Sequence, residues 1–180
     1  MPIAHVRGIR EHLPPTVWGL VQLQQLTGAR GSELFPIRSI DLDTSRPVWL
    51  YTPRDHKTVH HGHKRVIAFG PRSQAVLKPF MGQHPVNAPL FNPAESKMGR
   101  RAAKHSHYDR NTYRRCIARA CKKAGVPHWS PHQLRHTNAT AVRQEFGIEA
   151  AQVVLGHRSS GTTEIYAERD LGLVIEVMKK

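Results

Sequence analysis

The hydrophobic positions at the front of the chain predict a buried helix. From Thr16 to Leu26 apolar residues lie on nearly all sides of a helix, as expected for a helix inside the core. Gly28 is expected to end this helix, since glycine readily adopts the left-handed backbone found at helix ends. A short second turn follows and stops before Pro36.

The next part of the chain predicts a small antiparallel sheet and then a helix. Val48–Thr52 and Arg65–Phe69 are β-rich, and the polar, glycine-containing stretch Pro53–Lys64 between them predicts a long basic loop. Proline at position 71 opens a helix that reaches about Met81. Gln83–His107 is rich in proline, asparagine and basic residues, which indicates a loop with at most one short helical piece.

The last third of the chain is predicted to be helical. Ser130 followed by Pro131 is typical of a helix start, and glycines at 125, 147 and 156 mark helix ends. The fold class is therefore mainly α with a small antiparallel β-sheet (α+β). The predicted helices are Asn111–Ala124, Pro131–Phe146, Ile148–Leu155 and Thr162–Glu168, followed by an apolar tail stripe of Leu171, Val174, Ile175 and Met178.

Residue patterns also suggest how the chain divides. Residues 1–15 are polar, basic and closed by two prolines, which predicts an arm or linker. Residues 16–168 form the main domain, and 169–180 form a terminal helix or tail.

Cys116 and Cys121 lie on one predicted helix, where five residues separate their Cα atoms by about 7.5 Å in different directions. They are therefore expected to be free thiols.

Composition adds a strong positive charge. The 180 residues include 27 Lys+Arg against 13 Asp+Glu, a formal net charge of +14 and a sequence pI near 10.6. A basic protein of this kind is expected to bind a polyanion such as nucleic acid. The sequence has neither a signal-peptide pattern nor an apolar run that could span a bilayer, so a soluble cytoplasmic protein is expected.

Two short motifs carry candidate chemistry. His132 and Arg135 share one face in the first turn of a predicted helix, where backbone N–H groups and the helix dipole favour an anion. Alone, this pair is more often simply two exposed basic residues. His157 and Tyr166 follow across a Ser-Ser-Gly turn, and a lone helix tyrosine is ordinarily a packing residue. All four residues in this order within 35 positions are much less expected by chance.

The stretch from His132 to Tyr166 resembles the C-terminal signature of the phage integrase, or tyrosine recombinase, family. The segment 27–33, Thr-Gly-Ala-Arg-Gly-Ser-Glu, resembles the family's first box, and Lys57 in the hairpin occupies the place of the family's lysine. The resemblance covers about 17–168 and implies the catalytic domain of a metal-independent DNA strand transferase. The implied partner is double-stranded DNA, and no cofactor or metal is implied.

The resemblance implies a role for each site residue. Arg30 and Arg135 would clamp the phosphate, a task that suits the planar guanidinium. Tyr166 would attack the phosphorus to give a 3′-phosphotyrosyl link, and Lys57 would protonate the 5′-oxygen that leaves. His132 would assist proton transfer from the tyrosine, and His157 would hydrogen-bond a non-bridging oxygen.

Some residue assignments have alternatives. Lys64 and Arg65 also lie near the hairpin, although Lys57 is preferred over Lys64. Glu33 either orients the arginine site or is an ordinary acid in a first helical turn. The loop histidines at 56, 60, 61 and 63 invite a metal site, but they lack carboxylate or cysteine companions. His132 and His136 have metal-ligand spacing, yet Gln133 replaces the glutamate of the zinc-helix motif.

The resemblance also raises questions of assembly and extent. It implies that the tail stripe docks on a neighbouring protomer within a tetramer on DNA, whereas simple packing on its own domain is the alternative. Family members usually carry a further N-terminal helical domain that is not seen in this sequence. Site-specific recombination is the function that the resemblance implies. The rivals are type IB topoisomerase-like relaxation, a DNA-binding remnant without activity and, more distantly, a metal-binding regulatory protein.

Overall fold

The computed structural model describes residues 2–54, 65–95, 107–156 and 164–179, with the backbone alone for 164–170. The predicted fold class is confirmed: helices predominate, and one small antiparallel sheet lies between them. Within these ranges no helix has the length and apolar character needed to cross a membrane. The helices are α1 (Ile3–Gly8), α2 (Pro15–Thr27), α3 (Gly31–Leu34), α4 (Pro71–Leu77), α5 (Arg110–Ala124), α6 (Pro131–Leu155) and α7 (Glu164–Lys179).

Helix α2 is the centre of the main core, as its apolar pattern predicts. It is buried on several sides and packs against α4 and α6. Proline at its first position supplies a fixed φ where no backbone N–H is needed. Gly28 ends the helix with a φ of 64°, the left-handed conformation expected there.

The sheet contains the two predicted strands and one more. Strands β1 (Leu42–Asp43), β2 (Trp49–Tyr51) and β3 (Ile67–Phe69) are antiparallel neighbours in that order. The central strand pairs Trp49 with Phe69. The two-residue strand β1 is too short to give an alternating pattern, so the sequence did not reveal it.

Two further predictions concern glycine and cysteine. Gly147 interrupts α6 with φ 87° and ψ 176°, so this element is two helical segments, as the sequence predicts. Cys116 and Cys121 both lie on α5 and are free.

Residues 2–14 differ from the predicted arm or linker. They form α1 and a 3₁₀ turn, Arg10–His12, that pack against α5. Val6, Ile9 and Leu13 are buried in the main core. The apolar residues are too few and too widely spaced to give an amphipathic pattern over a short segment, and their burial depends on α5, about a hundred residues away.

The terminal helix is longer than predicted and packs on its own chain. Helix α7 runs through the expected boundary at 168/169 and contacts α6 and β3. Val174 and Val177 are buried in a second apolar cluster with residues of both elements, including Ala68 and Val154. Docking of this helix on a neighbouring protomer stays a prediction.

Gly70, at the N-cap of α4, is expected to be required for this packing. A Cβ atom at Gly70 would overlap with the backbone oxygen of Met178 in α7. Gly70→Ala must therefore displace α7, and we expect it to lower the free energy of unfolding by about 1–3 kcal/mol, as overpacking does. Urea denaturation measures this loss.

The matched control is Gly172→Ala within α7, where a Cβ meets nothing within 4 Å. This change should leave stability unchanged or raise it by up to about 1 kcal/mol through helix propensity. Equal stability of Gly70→Ala and the wild type would show that α7 does not pack as described.

Candidate active site

The turn between α2 and α3 presents Arg30. Its backbone N–H donates to Glu33 Oε2 at 2.8 Å, and its Nη1 donates to Glu33 Oε1 at 2.9 Å. The side chain of Arg30 is 39% exposed, whereas that of Glu33 is 3% exposed. A buried carboxylate thus holds an accessible guanidinium. This geometry matches the orienting role that the sequence left open for Glu33.

Arg135 is buried, with 3% of its surface exposed, in the first part of α6. Its Nη1 donates to the carbonyl oxygen of Gly28 and its Nη2 to that of Leu155, both at 2.7 Å. One guanidinium therefore joins the end of α2 to the end of α6. Burial lowers the pKa of Arg135 to about 10, and the nearby Arg30 acts in the same direction. The group still carries its charge at neutral pH.

His132 is exposed in the first turn of α6. The turn begins at Pro131, and the Ser130 N–H donates to Gln133 Oε1 at 2.8 Å. The ring of His132 lies edge to face with that of His136, with 4.5 Å between centroids. Partial burial lowers the pKa of His132, and the charges of His136, Arg135 and Arg30 lower it further. His132 is therefore neutral at pH 7 and able to accept a proton.

Arg65 belongs to the same group, although the sequence did not assign it a role. It lies just before β3 and is 7% exposed, and its Nε is 3.6 Å from Glu33 Oε1. Its Nη1 donates to the carbonyl oxygen of Val154 at 2.9 Å. An arginine next to the apolar run Val66–Phe69 was the available signal.

The structure brings three of the six predicted site residues together. Arg30, His132 and Arg135 are close enough for their charges to act on one another. Lys57 and His157 lie outside the described residues. Tyr166 belongs to the first turn of α7, and its side chain is outside the described part of the structure.

The other three tyrosines of the chain are buried, each about 2% exposed. Tyr51 donates to the carbonyl oxygen of Glu33 at 3.0 Å, and Tyr113 donates to Gln24 Oε1 at 3.1 Å. Burial raises the pKa of both hydroxyls above the usual range. The hydroxyl of Tyr108 is paired with that of Thr16 at 2.8 Å. None of these three hydroxyls is placed to attack a substrate.

The described part of the site carries an excess of positive charge. Three guanidiniums, those of Arg30, Arg65 and Arg135, surround one carboxylate, that of Glu33. Arg65 and Arg135 are largely removed from water, so their charges are weakly screened. Such a site favours an anion of one or two charges, and planar guanidiniums suit phosphate oxygens.

Comparisons with known proteins identify the family of the chain. The model of the phage integrase family matches residues 12–171, which is most of the chain. The chain belongs to the phage integrase family. A tyrosine recombinase XerC of Bifidobacterium longum subsp. infantis is 31% identical over 153 residues, and one of Corynebacterium glutamicum is 30% identical over 163 residues. These matches cover 82% and 89% of this chain but 41% and 49% of the relatives.

Solved structures show the same fold as this phage integrase family member. The XerA recombinase aligns with a TM-score of 0.63 and 24% identity, over 96% of this chain and 60% of that one. The XerH recombinase bound to its difH substrate aligns with a TM-score of 0.64 and 19% identity, over 92% of this chain and 47% of that one. The chain spans less than half the length of the two XerC relatives.

Arg135 should be important for folding as well as for the site. In Arg135→Lys one ammonium replaces a planar fork, so it cannot reach both carbonyl oxygens with the same geometry. A buried carbonyl left unpaired costs about 1–3 kcal/mol, and we expect the free energy of unfolding to fall by this amount in urea denaturation. The exposed Arg143 on the same helix gives the control, since Arg143→Lys should change stability by less than about 0.5 kcal/mol. Equal stabilities of the two variants would contradict the structural role of Arg135.

The pKa of His132 can be tested directly. Its NMR titration midpoint should lie below 6.5, because burial and neighbouring cations disfavour the imidazolium. His136→Gln removes one of these charges and should move the midpoint up toward 6.5. His128→Gln, a change at an exposed histidine outside the site, should leave it in place. A wild-type midpoint at or above 6.5 would contradict the described environment.

Proposed function

We propose that this chain cleaves and rejoins DNA strands in site-specific recombination, with Tyr166 as the nucleophile. The observation that carries the proposal is the union of Arg30 and Arg135 with a neutral His132 at the N-terminal turn of α6. The family and the XerC relatives support it. Because the chain matches about half of each relative, the whole reaction is inferred from this catalytic part.

The proposed chemistry transfers a phosphoryl group between oxygens. The Tyr166 oxygen forms a bond to phosphorus, the bond to the 5′-oxygen breaks, and a 3′-phosphotyrosyl link results. Arg30 and Arg135 neutralise the charge that develops on the non-bridging oxygens. Attack by a 5′-hydroxyl of the partner strand reverses the link and releases the tyrosine. One phosphodiester is exchanged for another, so no nucleotide cofactor is required.

Proton transfer is assigned to the remaining residues. His132 is neutral at pH 7 and can accept the proton of the tyrosine hydroxyl. Lys57 protonates the leaving 5′-oxygen, and His157 donates a hydrogen bond to a non-bridging oxygen. The charge that a metal ion would supply comes from the guanidiniums, so the reaction is expected to need no metal.

Tyr166 is favoured as the nucleophile by the state of the other tyrosines. Tyr51, Tyr108 and Tyr113 are buried, and their hydroxyls are engaged in hydrogen bonds within the protein. A nucleophile must reach a phosphate on a bulky duplex. Tyr166 is therefore the tyrosine of this chain that remains for the role.

Double-stranded DNA is the proposed partner. The chain has a net charge of +14, and α5 exposes a row of cations opposite its buried face. Neutralising backbone phosphates with such cations releases counterions and drives binding. The structures of XerH with difH substrate and of the Tn1549 transposon integrase with circular intermediate DNA support this partner. The cations of α5 are Arg110, Arg114, Arg115, Arg119, Lys122 and Lys123.

The proposed assembly is a tetramer on DNA. Exchange between two duplexes requires four strand cuts, and each protomer supplies one Tyr166. The proposed location is the cytoplasm, at the nucleoid, where the DNA substrate lies.

A nicked suicide duplex tests the proposed chemistry. The nick lies just 3′ to the cleavage position, so the short 5′-hydroxyl fragment diffuses away and traps the covalent adduct. Since the target sequence is undetermined, the substrate is a library of nicked duplexes with randomised sequence. We expect a protein–DNA adduct that survives detergent, is absent in Tyr166→Phe and is retained in Tyr108→Phe. EDTA should leave the yield unchanged, because guanidiniums stabilise the charge.

The other outcomes separate the alternatives. No wild-type adduct across the library would overturn the proposal and favour a DNA-binding remnant. Adduct formation with relaxation of supercoiled DNA, but without exchange between two duplexes, would indicate a topoisomerase-like activity. A strong loss of adduct in EDTA would contradict the metal-independent mechanism.

A further inference from the structure

Arg65 connects two parts of the site that are far apart in sequence. Its Nε faces Glu33 at 3.6 Å, and Glu33 in turn holds Arg30. Its Nη1 donates to the carbonyl oxygen of Val154, in the last turn of α6, at 2.9 Å. The same turn accepts the hydrogen bond from Arg135 at Leu155. Arg65 thus links the Arg30 turn to the end of α6.

Stability does not account for a guanidinium in this place. Arg65 is 7% exposed, and among the described residues neither its Nε nor its Nη2 has a hydrogen-bond partner. Removing a cation from water without satisfying its donors is costly, and a buried ion pair with imperfect geometry often adds no net stability. An apolar side chain of similar volume would fill this space with less penalty.

Arg65 packs closely against Gly156, which leaves little room for a side chain at that position. Gly156 ends α6 with a φ of 66°, and a Cβ atom there would lie 3.0 Å from Arg65 Cδ and 3.1 Å from its Nη1. Gly156 is therefore required by its backbone conformation and by the space that Arg65 occupies. Gly156 immediately precedes His157 in the sequence.

We propose that Arg65 is a positioning residue of the strand-cutting site, which holds the Arg30–Glu33 turn in register with the last turn of α6. This inference rests on the proposed function. Arg65 acts through Glu33 and the backbone at Val154 and Gly156, and no contact with the substrate is required of it. The cost of leaving Nε and Nη2 of Arg65 without hydrogen bonds is tolerated because Arg65 rigidly connects two parts of the chain that are 89 positions apart.

The test compares Arg65→Met, Arg65→Lys and the control Arg38→Met. Methionine keeps the buried volume and removes the charge. Lysine keeps the charge but has one nitrogen for two partners. Arg38 pairs with Asp41 at 2.7 Å outside the site, so its loss reports the general effect of breaking an arginine–carboxylate pair.

The first readout is the single-turnover rate of adduct formation on the nicked library, per folded molecule, beside the DNA dissociation constant. We expect Arg65→Met to slow adduct formation by at least about tenfold, as misplaced catalytic groups do, with a change below about threefold in DNA affinity. Arg65→Lys should recover part of the rate. Arg38→Met should keep the wild-type rate. A wild-type rate in Arg65→Met would overturn the proposal.

The second readout does not depend on cleavage. Melting temperatures are measured for Arg65→Met, Glu33→Gln and the double variant. If Arg65 acts through Glu33, the double variant should melt at a higher temperature than the sum of the single shifts predicts. Additive shifts would overturn the link. If the wild type forms no adduct, the proposed function fails, while this cycle still decides whether Arg65 and Glu33 form one unit.

Discussion

The rest of the structure depends on one guanidinium, that of Arg135, and on the two carbonyl groups that it joins. Gly28 ends the central helix α2, and Leu155 lies in the last turn of α6. With both oxygens 2.7 Å from the nitrogens of Arg135, the two helix ends are fixed relative to each other. Carbonyls at helix ends have no partner inside the helix, so this cation satisfies groups that would otherwise be buried and unpaired.

The same link places the charged groups. Gly28 can approach α6 closely because it has no side chain; a Cβ atom there would overlap with Asn138 Oδ1. Asn138 in turn donates to the carbonyl oxygens of Gln25 and Leu26, so α6 holds the end of α2 through two side chains. Arg30 follows two residues after Gly28. The turn that carries the accessible guanidinium of Arg30 is therefore held in place by α6. Little conformational freedom of this turn remains to be lost when a substrate binds.

Much of the fold followed from local sequence rules. The ends of α2, α5 and α6 are marked by glycines whose left-handed conformations were expected, with φ between 64° and 66°. The break at Gly147 and the two longer strands were predicted as well. Strand β1 was missed because it has two residues. The burial of Val6, Ile9 and Leu13 was missed because their partner, α5, is distant in sequence. The periodicity of a short segment carries no information about a distant partner.

For the candidate site, the sequence by itself determined which residues are proposed to carry the chemistry. Order and spacing singled out His132 and Arg135, and the resemblance of residues 27–33 to the family's first box added Arg30. Tertiary structure alone decided that Arg135 is buried, that Glu33 lies between two arginines and that Arg65 belongs with them. The hydrogen bonds that decide this join residues 107 and 89 positions apart. Local spacing encodes helices and motifs, whereas only packing determines which distant backbone oxygens a buried cation will meet.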